Sequence, residues 1–275
     1  MTMNYTLPAL AAGLLCAASG LHAQTAGPDA SPHSVTGTLS LVSDYRFRGI
    51  SQSWRQPAVQ AGIDYTHASG LYLGNWNSSV SSNSYNNGAS LESDLYGGYR
   101  FPLAQDVTAD AGVLFYLYPG ARLNSAPAIP SGNRYDNTEL YFGIARGAFN
   151  AKLSYAVTDY FGLNGGTAAY AYWSALPARG SSRGTTYLDL NYGVDLGHQL
   201  TLNLHLGHTA VRHYGELSYA DYKLGLAKDW SGFTWGLAVV GTQADAAYYQ
   251  VGDSAWLNPK RTGRGGLVLS AARTF

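Results

Sequence analysis

Apolar and polar residues alternate along most of this chain with a period of two, the mark of strands whose two faces meet different surroundings. Leu39, Leu41, Tyr45 and Phe47 alternate with Ser40, Asp44, Arg46 and Arg48. Val59, Ala61, Ile63 and Tyr65 alternate with Gln60, Gly62 and Asp64, and Leu91, Leu95, Tyr99 and Phe101 with Glu92, Asp94 and Arg100. The same pattern returns at Leu188–Leu196, around Asp189, Asn191 and Asp195, and at Leu200–Leu206, around Thr201, Asn203 and His205. Such ladders approach the roughly 9–11 residues that a tilted strand needs to cross a bilayer.

The connections alternate as well. Short turns are predicted at His67–Gly70, Pro102–Asp106, Gly147–Asn150, Gly197–Gln199 and Asp229–Gly232. Longer polar segments separate them at Ser51–Gln56, Ser79–Ala89, Pro119–Tyr135, Asp159–Gly184, Ala210–Leu217 and Ala244–Gly263. Short turns on one side and long loops on the other describe an all-β, transmembrane, antiparallel up-and-down β-barrel of about 12 strands. Even parity places Ala168–Trp173 inside an external loop rather than across the membrane. The short turns are then periplasmic and the long loops extracellular.

Aromatic placement supports the same architecture. The outward parity at the turn ends carries Tyr65, Phe101, Trp230, Phe233 and Phe275. Amphipathic rings at one height form a membrane-interface girdle. A soluble β-sandwich, the competing architecture, would gather its aromatics in the core without regard to strand ends. The last strand, with Leu267, Leu269, Ala271, Arg273 and Phe275 on one face, resembles the C-terminal signal read by the outer-membrane barrel-assembly machinery. Arg273 interrupts that face one pleat from its end, where a long basic side chain can snorkel.

The N-terminus reads as a separate segment. Leu7–Ala18 is apolar but too short for a spanning helix, and small residues follow to Ala23. This predicts a signal peptide over residues 1–23, although no Lys or Arg precedes the run. A polar leader over 24–35 and the barrel over 36–275 complete the division. Cys16, the only cysteine, lies in the signal, so the mature chain holds no thiol for a disulfide or a metal. The 17 Lys and Arg balance 17 Asp and Glu, which leaves no basic surplus to neutralise nucleic-acid phosphates.

The first hairpin carries a more specific pattern. Ser43-Asp44-Tyr45-Arg46-Phe47-Arg48-Gly49-Ile50-Ser51-Gln52 is followed by Pro57-Ala58-Val59-Gln60 and Ser69-Gly70-Leu71-Tyr72-Leu73-Gly74-Asn75-Trp76. These segments, with Tyr96-Gly97-Gly98-Tyr99, Glu139-Leu140-Tyr141 and Asp159-Tyr160-Phe161-Gly162, resemble the TorF family of proposed porins, also catalogued as the Gcw_chp family. The resemblance implies an outer-membrane, porin-like protein of a Gram-negative cell, and it assigns no solute.

With the outward parity in lipid, the opposite parity faces a lumen. The candidate pore-lining residues are Asp44, Arg46, Arg48, Asp64, Glu92, Asp94, Arg100, Asp110, Glu139, Lys152, Asp189, Asp195, Asp221 and Lys223. They fit either a polar channel whose charges filter solutes or an ion-paired interior that only holds the barrel's shape. Lumenal Tyr96, Tyr116, Tyr118, Tyr141 and Tyr187 fit packing against acidic neighbours better than a ligand platform. A surface hydrolase would need a Ser–His pair, such as Ser218 with His208 or His213; His205 and His208, three apart, face opposite sides and share no metal. The sequence thus points to a non-enzymatic porin-like channel for passive diffusion of small hydrophilic solutes, without a cofactor. A non-conducting outer-membrane barrel that binds a ligand or partner through its loops is the alternative, followed by an outer-membrane surface hydrolase. The expected partners are outer-membrane lipid, lipopolysaccharide and the assembly machinery.

Overall fold

A computed structural model describes residues 31–84, 88–126, 129–170, 176–251 and 258–275. The predicted signal peptide, most of the leader, and residues 171–173 of the ambiguous segment lie outside the described residues. Twelve antiparallel strands close into one barrel. They are β1 (His33–Val42), β2 (Ala58–His67), β3 (Leu71–Ser79), β4 (Leu91–Ala104), β5 (Val107–Leu117) and β6 (Asn137–Arg146). They continue as β7 (Phe149–Ala156), β8 (Thr186–Asp195), β9 (Leu200–Ala210), β10 (Tyr219–Trp230), β11 (Phe233–Thr242) and β12 (Gly266–Thr274). Each strand pairs with its sequence neighbour, and β12 returns to β1 with Leu41 opposite Ala271. No helix among the described residues is long and apolar enough to cross a membrane.

All five predicted tight turns fall at one end, here the turn end, and the long connections gather at the other, the loop end. The turn between β2 and β3 depends on Gly70, whose φ is +101° and whose missing Cβ would collide with the Arg100 carbonyl. Residues 168–170 lie in the loop between β7 and β8, as parity required. β1 starts at His33, inside the segment expected to be leader.

Tyrosine and glycine, both abundant here, are used as a pair. On the lumenal face the Tyr96 ring lies where a Cβ of Gly74 would be, Tyr72 crosses Gly98, Tyr141 crosses Gly112, and Tyr187 crosses Gly207. Each ring lies against the neighbouring strand instead of standing in the bore. Cross-strand aromatic cover of glycine stiffens a strand that glycine alone would weaken.

One predicted element is wrong. The alternation from Leu39 to Phe47 reads as one strand, yet β1 ends at Val42. The chain then turns into the lumen, and Arg46–Phe47 pairs with Ile50–Ser51 as a separate small hairpin. Its two-residue turn has φ of 47° at Arg48 and 77° at Gly49. Positive φ at both central residues belongs to the type I′ turn, whose twist suits a tight hairpin. The first loop accordingly spans 43–57 rather than Ser51–Gln56. Period two survived because the inner hairpin is itself β-structure.

Candidate functional site

The two faces of the wall differ sharply. Outward positions carry Leu, Val, Ile and aromatic residues that stay open to the surroundings; Leu41 is 58 % and Leu206 62 % exposed. Charged residues on that face are Arg146, Lys228 and Arg273, all close to the turn end. The Arg273 guanidinium lies 5.6 Å from the Phe233 ring and 5.1 Å from the Phe275 ring, a cation–π arrangement suited to an interface. Tyr65, Phe101, Trp230, Phe233 and Phe275 all hold outward parity there.

The inward face is polar and densely connected. Asp64 accepts a hydrogen bond from the Tyr96 hydroxyl at 2.5 Å. Asp110 accepts one from Tyr72 at 2.6 Å and meets Arg100 at 3.4 Å. His205 bridges Asp189 at 3.1 Å and Asp221 at 2.7 Å, and Lys152 approaches Asp189 at 3.9 Å. Glu92 accepts from Tyr45 at 2.7 Å. Asp94 is buried beside these carboxylates, and its Oδ1 has no hydrogen-bond partner among the described residues. Lys223 faces the same lumen. Asp195 sits apart at the turn rim, where it accepts from the Gly197 N–H at 2.8 Å.

The inner hairpin crosses the bore near the loop end. From its tip, Arg48 donates to Glu139 on the far wall at 2.6 Å, with its guanidinium 4.1 Å from the Tyr187 ring. Gly49 presses against the opposite side, where a Cβ would lie 2.9 Å from that of Asp221 and overlap Thr242. Arg46 donates through Nε to Asp44 at 2.6 Å and through Nη1 to the carbonyls of Gly49, Thr262 and Arg264 at 2.9–3.1 Å. Burial lowers the Arg46 guanidinium pKa against the pull of Asp44, and the facing charge of Arg55 lowers it further. Phe47 packs edge-on against Tyr116 at 5.3 Å and Phe161 at 5.7 Å, which joins the hairpin to the loop between β7 and β8.

Asp44, Arg46 and Arg48 therefore reach the lumen from an inserted segment, which corrects their expected place on the first wall strand. Alternation could not distinguish the two, because both are strands with one polar face. His205 and Asp229 also face inward, and inward parity alone would have marked them. The serine–histidine pairs weighed above are not assembled: Ser218 accepts from the Val211 N–H at 2.9 Å, and His213 contacts the Ser181 carbonyl at 2.8 Å. His208 faces outward.

Residues 25–275 match a family model described as a bacterial protein of unknown function, Gcw_chp. The chain belongs to this family. No curated protein matches it in sequence. Among solved structures, the KdgM porin in complex with disordered oligogalacturonate aligns with a TM-score of 0.48 at 10 % identity, over 88 % of this chain and 99 % of that one. The NanC porin gives 0.46 at 9 % identity, over 88 % and 98 %. The COG4313 outer membrane channel from Pseudomonas putida F1 gives 0.43 at 12 % identity, over 90 % and 96 %. Likeness at this level carries no argument about solute or selectivity.

Within this Gcw_chp barrel, charge is segregated along the axis. The described loop-end segments carry eleven Lys and Arg against five Asp and Glu. The inward wall carries nine Asp and Glu against three Lys and Arg, namely Arg100, Lys152 and Lys223, with His205 beside them. A neutral chain thus folds into a basic loop end above an acidic bore.

Proposed function

We propose that this protein spans a bacterial outer membrane and passes small hydrophilic solutes passively through its lumen. The observation that carries the reading is the inversion of polarity across one wall: apolar outside with charge only near one rim, charged and hydrogen-bonded inside. Closed barrels satisfy every backbone group without an edge, so such a wall is stable in hydrocarbon. Lumenal carboxylates and guanidinium groups would filter solutes by charge, and the inner hairpin would set the narrowest section. Residues 1–23 would serve as the cleaved export signal, with Phe275 ending the strand offered to the assembly machinery. Lipid and lipopolysaccharide would surround the barrel, and no catalytic step is assigned.

One observation favours a second reading. The hairpin reaches both sides of the bore and is fixed by a buried ion pair, so the resting barrel would be closed and its loops would bind a partner. Single-channel recording of refolded protein in planar bilayers separates the two. Discrete steps under a salt gradient support the channel. Silence from protein that shows folded, heat-modifiable gel migration would leave the closed barrel as the better reading.

A further inference from the structure

Two guanidinium groups converge at the loop-end entrance of the lumen, one of them already paired through Nε with Asp44. Gly266, the first residue of β12, has inward parity. A Cβ placed on it would lie 3.3 Å from Arg46 Nη2 and 3.6 Å from Arg55 Nη2. Both nitrogens thus border the small volume that a side chain would otherwise fill. Arg46 is buried, and its Nε and Nη1 are engaged by Asp44 and three carbonyls. Among the described residues, nothing accepts from its Nη2, and nothing accepts from the Arg55 guanidinium.

Arg55 is also held in place. Its N–H donates to Ser51 Oγ at 2.7 Å, and Ser51 in turn donates to Asp44 at 2.6 Å. Trp54 and Arg55 both have positive φ, 54° and 58°. Lys260 pins this pair from the last loop, 3.9 Å from the Trp54 ring centroid and 3.3 Å from its carbonyl. Left-handed backbone at two successive non-glycine residues costs energy and persists where surrounding contacts over-determine it. Here those contacts aim a second cation at the first. Like charges that face each other over a cleft are relieved by an anion, and guanidinium forks match carboxylate and phosphate geometry.

We infer that Arg46 and Arg55, over the cleft left by Gly266, form an oxyanion site at the lumen entrance that takes a carboxylate- or phosphate-bearing small solute. The inference deepens the channel reading by naming a solute class and rests on that reading for its transport role. Gly266 faces the lumen, so the anion arrives through water rather than from the surrounding bilayer. The basic loop end concentrates such solutes, and this site orders them before the acidic bore.

The test uses the whole mature barrel in detergent and in planar bilayers, with inorganic phosphate as probe. Titration calorimetry should show saturable binding that Arg55→Gln weakens by about tenfold, the loss of one charge-assisted contact. Gly266→Ala should weaken it comparably without altering any charge, because the methyl group occupies the anion's place. Arg261→Gln, an exposed basic neighbour, should leave binding unchanged. Phosphate added on the loop side should block wild-type current and block Arg55→Gln current far less. Equal loss in Arg55→Gln and Arg261→Gln, with none in Gly266→Ala, would mean a diffuse basic field and overturn the site. Lipid phosphorus recovered at one per barrel, lost in Arg55→Gln, would assign the site to a headgroup and overturn the solute. Phosphate binding that depends on Arg55 in a barrel that never conducts would keep the site and sink the channel; normal conduction without phosphate binding would do the reverse.

Discussion

The loop end and the bore are separated by a few pleats of the same sheet, yet their charges have opposite signs. Among the described residues, cations outnumber carboxylates eleven to five above; below, carboxylates lead nine to three. Their pairing differs too. In the bore, Asp64, Asp110, Asp189 and Asp221 are tied to tyrosines, His205 or a cation from a neighbouring strand, all fixed by strand register. At the loop end, Arg46 and Arg48 are fixed by an inserted hairpin, and Arg55 by strained backbone. The wall therefore has charge built in by alternation, whereas the entrance has charge carried in by a segment that is not itself part of the wall. A formal net charge of zero averages over two fields that a solute would meet one after the other.

The largest effect should come from removing the hairpin's anchor. Arg48→Ala frees the tip from Glu139 and should raise single-channel conductance several-fold. It also leaves Glu139 buried without its cation, at a cost of about 3–5 kcal/mol. Heat-modifiable gel mobility should then be lost at a lower temperature than in wild type. Unchanged conductance would show that the narrowest section lies elsewhere. Gly49→Val should open the bore as well, without altering charge, because φ of +77° and the contact with Thr242 exclude a branched side chain.

A charge placed on the outer face should act next most strongly. Leu237→Arg sets a guanidinium on the apolar face of β11, where such changes cost about 2–4 kcal/mol at mid-membrane. Thr234→Ser, inward on the same strand, should be nearly neutral because it keeps the hydroxyl that donates to Asp229. Urea unfolding from lipid vesicles measures both, and equal costs would contradict the assignment of the two faces.

Smaller and purely electrostatic is the change expected from Asp189→Asn. It removes one of the two carboxylates that hold His205 and should shift the reversal potential under a salt gradient toward anions, with little change in conductance. The faintest effect concerns the rim pair Arg179–Glu216, which meets at 2.6 Å. Arg179 holds the Glu216 carboxyl below its ordinary pKa. The stabilisation is thus complete above the ordinary carboxylate value and is lost as pH falls through the lowered one. Hydrogen exchange at residues 213–218 should quicken only in that acidic window, and Glu216→Gln should abolish the dependence.

The sequence carried the wall almost entirely, because alternation, turn chemistry and aromatic parity each report on a strand with two unlike sides. Leu200–Leu206 shows why: four leucines outward and Thr201, Asn203 and His205 inward leave one workable register. It did not carry the inner hairpin. Tyr45–Arg48 alternates as well as any wall strand, and the turn at Arg48–Gly49 lacks the Asn-Gly or Asp-Gly pair that usually betrays a hairpin. Nor did it carry the convergence at Gly266, since Arg46, Arg55 and Gly266 meet only after the barrel has closed.

That closure has a kinetic side. Two of the carbonyls that hold Arg46 belong to residues 216 and 218 positions further along the chain. Contacts of such long sequence separation form late, after most of the loop entropy has been spent. Full seating of Arg46 is therefore expected only once the ring is complete. Amide exchange around Gly49, followed during refolding, would time the last event of assembly rather than the first.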